Sequence, residues 1–483
     1  MNRRTVVLNT IGIMCIFFSF TMIPPLIVSA WYHDGEVRDF SFTFLILISV
    51  GSFLWLTYKK QLAELRRRDG FFIVAFFWII LSLVSAIPFM IGPGSLTVID
   101  SIFEATSGFT TTGATVIPNL ETVHPSILFY RQELQWIGGM GLIVFAIAIL
   151  PMLGVGGSQL YRAEIPGPMK DEKLAPRLIQ TARSLWIIYV VLTVCCAAAY
   201  WLSGLNPLDA IEHSFSTVST GGFSTHNESF AFFHSNLVNI ICVLFMLAGG
   251  INFSVHFMAL SNHNPLLYLK DFEVRSYFII ILVFVLLYTI FLYSTHTFQN
   301  FTESLQISLF EVTSVITSTG FGISDFSKWP LFLPLLLIFI SFIGGCGGST
   351  AGGLKVIRIL MLLKQLAHEL FLLIHPKALR PIKFGKHILD NKILSATWGF
   401  LSVYIFVFVF LTLCMMMTGL DQVSAFAAIA ACINNLGPGL GQVSATFTSI
   451  SDPAKIIATI AMLMGRLEIF TILIIFTPYY WRS

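Results

Sequence analysis

The sequence predicts an all-α integral membrane fold, two N-terminal spans followed by four copies of a span–short helix–span unit. Three observations predict it. Apolar runs of about 20 residues, the length a helix needs to cross a bilayer, recur along all 483 residues. Hydrophobic residues make up 56% of the chain and charged residues 11%, against roughly 25% charged in soluble domains. A pattern centred on one glycine recurs at Gly113, Gly222, Gly320 and Gly437, and a repeat of that kind marks one structural unit used several times.

Where no water can satisfy the backbone, an apolar run must be helical. Ten spans are expected, over 8–32, 40–58, 70–92, 126–153, 184–203, 235–260, 275–295, 330–372 with a glycine interruption, 393–418 and 454–478. An even number puts both termini on one side. Lys and Arg concentrate in cytoplasmic loops, and all 28 except Arg38, Arg131, Lys328, Lys455 and Arg466 fall on the side of the termini. Both termini are therefore expected in the cytoplasm. The net charge of +3 hides this sidedness. The apolar run after Arg3-Arg4 is longer than the roughly 7–15 residues of a cleaved signal core, so it is expected to stay as a span.

The expected division is 1–69 for the two extra spans and 70–183, 184–273, 274–392 and 393–483 for the four repeats, the third carrying the glycine-rich interruption. No long soluble domain fits between the spans. The seven cysteines lie in apolar segments without a CxxC pair and read as small buried hydrophobes. The eleven histidines form no ligand-spaced set, so no metal centre or cofactor of the chain itself is expected.

Within the repeats, four segments are too short to cross: Ser101–Ala114 (SIFEATSGFTTTGA), Ala210–Phe223 (AIEHSFSTVSTGGF), Leu305–Gly322 (LQISLFEVTSVITSTGFG) and Ala425–Pro438 (AFAAIAACINNLGP). Aligned on the four glycines, Ser107, Ser216, Ser314 and Ala431 stand six residues before, and Glu104, His213, Glu311 and Ala428 nine before. Asp100 and Asp209, thirteen before the first two glycines, are expected to be helix N-caps. Glycine for close helix packing would explain any one of these loops. It does not explain why each glycine follows a half-length helix in an otherwise extracellular loop.

Irregular backbone at membrane depth is tolerated where protein buries it or a wet cavity lines it. Four such loops can ring one axis, and the expected architecture is therefore pseudo-fourfold about a pore. A bare cation must shed its water to pass, and inward-aimed carbonyls replace that water. Aiming successive carbonyls inward requires positive φ, which glycine adopts without steric cost. The C-terminal, partially negative ends of the short helices favour a cation there.

Two rival functions are weighed against a cation pore. A transporter of inverted repeats also uses broken helices, but here every repeat starts with a span leaving the cytoplasm, so the repeats are parallel. An ATP-driven enzyme would need a P-loop; in the glycine-rich 344–353, Gly353 is followed by Leu354 before Lys355, and apolar spans flank it. No enzymatic activity is expected.

Further motifs are Trp136-Ile137-Gly138-Gly139-Met140-Gly141, Tyr161 to Lys173 (YRAEIPGPMKDEK), Gly344 to Lys355 (GGCGGSTAGGLK) and Gly465-Arg466-Leu467-Glu468. With the four loops, they make the whole chain resemble the TrkH/KtrB/HKT family, within it the TrkH/TrkG-type membrane subunits of bacterial Trk potassium uptake systems. The two extra N-terminal spans match the TrkH type rather than the KtrB type. The resemblance implies potassium uptake across the bacterial inner membrane, with K⁺ as the transported ion. Its selectivity filter would be Thr111, Thr112, Gly113, Thr220, Gly221, Gly222, Ser318, Thr319, Gly320, Asn435, Leu436 and Gly437. Some members with serine at the first filter glycine favour Na⁺; glycine at 113 implies K⁺.

The fourth loop departs from the pattern, with Asn434, Asn435 and Pro438. The resemblance implies a homodimer docked on a cytosolic nucleotide-binding regulatory subunit, TrkA-like. It also implies a gate below the filter comprising Gly344, Gly345, Gly347, Gly348, Gly352, Gly353, Lys355 and Arg466. Six of those residues are glycines, each costing about 1 kcal/mol relative to Ala in a helix, so an unwound loop is expected on physical grounds as well. An Na⁺-permeable carrier, or a symporter coupled to H⁺ or Na⁺, would use the same filter. Glu104 and Glu311, the acids nearest it, read as supports for the short helices.

Overall fold

Apolar runs with no access to water fold as helices, and the computed structural model shows them so. It describes residues 3–58, 67–92, 94–141, 175–378, 381–384, 387–389 and 391–478. Among these the only strand pairing is a two-residue antiparallel contact of Lys383–Phe384 with His387–Ile388. Among the described residues six helical segments are each long and apolar enough to cross a membrane: Val7–Tyr32, Val37–Tyr58, Phe71–Met90, Ala182–Leu202, Phe272–Ser294 and Lys392–Met416. Their outward faces carry exposed apolar side chains such as Leu45, Leu282, Ile290 and Phe406. That is the pattern of helices solvated by lipid.

The first two spans pack against each other where glycine lets the backbones meet. A Cβ on Gly12 would lie 2.8 Å from Gly51 O, and one on Gly51 2.7 Å from Gly12 O. Both are closer than a real Cβ tolerates, so this crossing depends on small residues.

Inside the outer helices lie four short ones, Val98–Phe109, Pro207–Val218, Phe301–Ile316 and Gln422–Ile433. They are enclosed by protein; Ala425, Ala428 and Ile429 of the last, for example, are fully buried. The caps differ from expectation. Asp100 and Asp209 are not N-caps but sit three residues inside, and the caps are Thr97 and Asn206, whose side chains accept from the Asp100 and Asp209 N–H groups. The aspartates answer by accepting from Thr97 Oγ1 at 2.9 Å and Asn206 Nδ2 at 2.6 Å. Thr and Asn are good caps themselves, and Pro207 at the first helical position has no N–H to satisfy, so each helix starts one turn earlier. Asp421 caps the fourth helix directly.

Three expected spans are broken. Asn236–Gly249 and Phe253–Ser261 meet at 95°, and Asp452–Arg466 and Phe470–Phe476 at 109°. Leu333–Ser341 and Val356–Ile374 are separated by the glycine-rich loop. Pro125–Gly139 also ends in a glycine pair, and the expected continuation to residue 153 lies outside the described residues from 142 on.

Three of these second spans meet a short helix in the same way, at a glycine near the end of a helix. A Cβ on Gly138 would overlap Phe109 O, one on Gly249 would lie 2.9 Å from Val218 O, and one on Gly465 would overlap Ile433 O. Each acceptor is the residue four before a loop glycine. The second spans of the first, second and fourth repeats thus press their backbones against the ends of the short helices.

Candidate functional site

The four short helices end in the same way. The N–H groups of Thr112, Gly221, Thr319 and Leu436 each donate, at 2.8 Å, to the carbonyls of Ser107, Ser216, Ser314 and Ala431. The preceding residues, Thr111, Thr220, Ser318 and Asn435, are left-handed with φ of 57°, 53°, 55° and 54°. This is the C-terminal motif that usually takes glycine. A left-handed non-glycine residue costs of order 1–3 kcal/mol and persists where its surroundings over-determine it. Two residues on, Gly113, Gly222, Gly320 and Gly437 are left-handed again, at φ 81°, 84°, 80° and 96°. Left-handed residues alternating with ordinary ones turn neighbouring carbonyls to the same side of the chain, which a uniform strand or helix does not do.

The loops touch in a closed cycle. A Cβ on Gly113 would overlap Gly221 O, one on Gly222 Thr319 O, and one on Gly320 Leu436 O, while one on Gly437 would lie 2.7 Å from Thr112 O. Each oxygen belongs to the residue just before the glycine of the next loop, so the contacts run from first to second, third, fourth and back to first. All twelve residues expected to form a filter stand in this ring, and the Thr and Ser members are buried.

The residues nine before each glycine anchor the chain as it leaves the ring. Glu104 accepts from Thr115 Oγ1 at 2.9 Å, Val116 N at 2.9 Å and Arg131 Nε at 2.8 Å. Glu311 accepts from Ile323 N at 2.8 Å and Ser324 N at 3.0 Å. His213 Nε2 lies 3.1 Å from Ser224 Oγ. Ala428 has no such group, and the fourth loop is held otherwise: Asn434 Nδ2 donates to Ser341 Oγ at 2.9 Å, and Asn435 Nδ2 to Thr112 Oγ1 at 3.0 Å. Its departure from the pattern therefore replaces one set of anchors by another. Arg131, fully buried, joins two loops by donating also to Ser224 O at 3.2 Å, over the Phe223 ring at 4.1 Å.

The glycine-rich loop lies against the ends of the second and fourth short helices. Thr350 Oγ1 donates to Val218 O at 3.1 Å or Gly249 O at 3.0 Å and lies 3.2 Å from Thr220 Oγ1. A Cβ on Gly352 would overlap Asn434 O, and one on Gly345 would lie 2.9 Å from Gly250 O. Gly344, Gly348 and Gly353 are left-handed, as is Lys355 at φ 76°, whose ammonium turns back to donate to Ala351 O. Gly347 N donates to Glu273 Oε1 at 2.6 Å, and Gly348 packs on Asn252, away from the ring.

Arg466 ends the helix Asp452–Arg466. Its guanidinium donates to Thr350 O at 2.9 Å, Gly138 O at 2.7 Å and Gly139 O at 3.1 Å, and so links the glycine-rich loop to the end of the helix Pro125–Gly139. Glu468 pairs instead with Arg358, at 2.5 Å. Thr350, Gly138 and Gly249 are site residues the sequence did not single out for these roles. Gly138, Gly249 and Gly465 follow their loop glycines at different spacings, so aligning the repeats on those glycines does not bring them into register.

The TrkH family model, described as a cation transport protein, matches residues 37–483. The chain is 48% identical over 480 residues to the Trk system potassium uptake protein TrkH of Vibrio parahaemolyticus, covering 99% of each. It is 48% identical over 474 residues to TrkH of Escherichia coli K12, covering 98% of each, and 40% identical over 479 residues to TrkG of the same strain, covering 99% of each. The crystal structure of the potassium transporter TrkH from Vibrio parahaemolyticus superposes with a TM-score of 0.91 at 45% identity, covering 100% of both chains.

Proposed function

The chain belongs to the TrkH family of cation transport proteins, and we propose that it takes up K⁺ across the bacterial inner membrane as the membrane subunit of a Trk-type system. The observation that carries this reading is the closed cycle of glycine-to-carbonyl contacts among the four loops. Carbonyls turned to one side of each loop, brought together in a ring, offer a dehydrated monovalent cation the oxygens it loses from water. The twelve ring residues are the filter in this reading. The C-terminal ends of four short helices converge there and add partial negative charge.

Below the filter, the glycine-rich loop held by Thr350 and the Arg466 guanidinium act as the gate. The loop obstructs the path, and the fixed positive charge raises the barrier for a cation leaving the ring. Opening requires the loop to exchange its bonds to Val218 O, Gly249 O and Arg466 for others. A cytosolic nucleotide-binding subunit acting on the basic inner loops, with the membrane subunit as a homodimer, supplies that drive.

The test is the reversal potential of the purified protein in planar bilayers, with K⁺, Na⁺ and pH varied separately. A shift that follows the K⁺ gradient alone is expected. A shift with the Na⁺ gradient, or with pH at fixed K⁺, would move the assignment to an Na⁺-permeable or coupled carrier.

A further inference from the structure

The ring is not braced alike on its four sides. In the first loop the Thr110 and Thr112 hydroxyls meet at 2.7 Å, and in the third Thr317 and Thr319 meet at 2.7 Å. Each pair ties the end of a short helix to the residue whose carbonyl faces the neighbouring glycine. The second loop has Ser219 and Gly221 at the matching positions, and Gly221 has no side chain to pair.

The space is filled from another repeat. Gln135, fully buried on the helix Pro125–Gly139 of the first repeat, donates from Nε2 to Gly221 O at 2.6 Å and accepts at Oε1 from Phe223 N at 3.0 Å. Its amide grips the backbone on both sides of Gly222. A Cβ on Gly221 would lie 2.5 Å from Gln135 Cδ and from Oε1, so a side chain at 221 and the amide of 135 exclude each other.

We propose that Gln135 is a selectivity-positioning residue, a brace supplied in trans that does for the second loop what the threonine pairs do for the first and third. The proposal rests on the filter reading above. Gly221 O faces Gly113 in the ring, so the bond from Gln135 fixes the orientation of an oxygen that would face the ion. A packing role alone would alter stability and protein yield. A positioning role alters the ratio of permeabilities.

The experiment measures K⁺ over Na⁺ permeability from reversal potentials in bilayers, with thermal stability recorded in parallel, for Gln135→Ala, Gln135→Glu, Gly221→Thr, the Gln135→Ala/Gly221→Thr double variant and Gly222→Ser. Gln135→Glu keeps the shape and the acceptor for Phe223 N but loses the donor to Gly221 O, and so serves if the alanine variant fails to fold. Each single change at 135 or 221 is expected to lower the ratio about two- to tenfold, the range supplied by one buried hydrogen bond. The double variant should recover part of that loss, because a threonine at 221 then has room to meet the Ser219 hydroxyl. An unchanged ratio in the Gln135 variants alongside a lowered one in Gly222→Ser overturns the proposal and leaves the filter reading intact. A double variant no better than the worse single overturns it too. An unchanged ratio in Gly222→Ser as well would instead sink the filter reading itself.

Discussion

Single residues of the ring are where the geometry makes its sharpest demands. At Gly113 a serine would have to hold φ near 81° and place its Cβ against Gly221 O. The left-handed conformation alone costs about 1–3 kcal/mol at a non-glycine residue, and the hydroxyl adds an oxygen that small, strongly hydrated Na⁺ can use. Gly113→Ser is therefore expected to lower the K⁺ over Na⁺ permeability ratio several-fold while the protein still accumulates in the membrane. Ratios unchanged for serine at Gly113, Gly222 and Gly320 alike would refute the filter.

Arg466 sits one layer below, with its charge satisfied by carbonyls of Thr350, Gly138 and Gly139. Arg466→Ala should raise Rb⁺ uptake into proteoliposomes and leave ion preference largely intact. Arg466→Lys, which keeps the charge but not the fork, should fall between the two. Lower uptake in a well-folded alanine variant would mean that the guanidinium serves as a tether rather than a barrier. The four glycines and Arg466 were legible in the sequence, because repetition exposes the first and the cost of a charge within a span exposes the second. Gln135 was not, because its partner lies 86 residues away and nothing local marks a glutamine in an apolar helix as a clamp.

Among the elements, the order of helices followed from the apolar runs, but not how many cross unbroken: ten spans are expected, and among the described residues six helices are long and apolar enough to cross and two more spans are bent pairs. Of the breaks, only the glycine-rich one is marked in the sequence. Both arms of the bent pair Asn236–Gly249 and Phe253–Ser261 are apolar, so hydropathy runs through the turn without a mark. What forces the turn is contact with the short helix of the same repeat, at Gly249 against Val218 O. The glycine-rich loop was legible because its glycines make continuous helix costly. The bonds that hold it were not, since they depend on Thr350 reaching the end of the second short helix. Shortening the loop across Gly344–Gly353, with the flanking helices kept, should give larger and less regulated K⁺ flux. The comparison is Rb⁺ uptake at matched protein content, with and without the proposed cytosolic nucleotide-binding subunit. Unaltered flux in a folded deletion would remove the gate from the loop.

For the whole molecule, the repeats must be held in register for a ring of backbone oxygens to keep its size, and the charged contacts between repeats show how. Lys455 of the last repeat pairs with Asp100 of the first at 2.6 Å, closing the cycle. Between the first and second repeats the link is titratable. His226, in the loop beyond the second glycine, lies 3.3 Å from Glu121 and 3.6 Å from Asp209, with the His213 ring stacked at 6.4 Å between centroids. Burial alone would lower the His226 pKa, but hydrogen bonding and charge from Asp209, and then from Glu121, outweigh it and raise it above the ordinary value.

A histidine raised in the folded state contributes stability that is fully present below its unfolded value, about 6.5, and lost as pH rises through the folded value. The pair is partly open to solvent, so the contribution should stay below about 1 kcal/mol. Thermal unfolding of the purified protein between about pH 5 and 9, compared with His226→Gln, should show the native protein ahead at the acid end and the two converging as pH rises. A difference that grows with pH, or one that is flat, would mean that the imidazolium does not bridge the two repeats and that their register is set by uncharged and buried contacts such as those of Arg131 and Gln135.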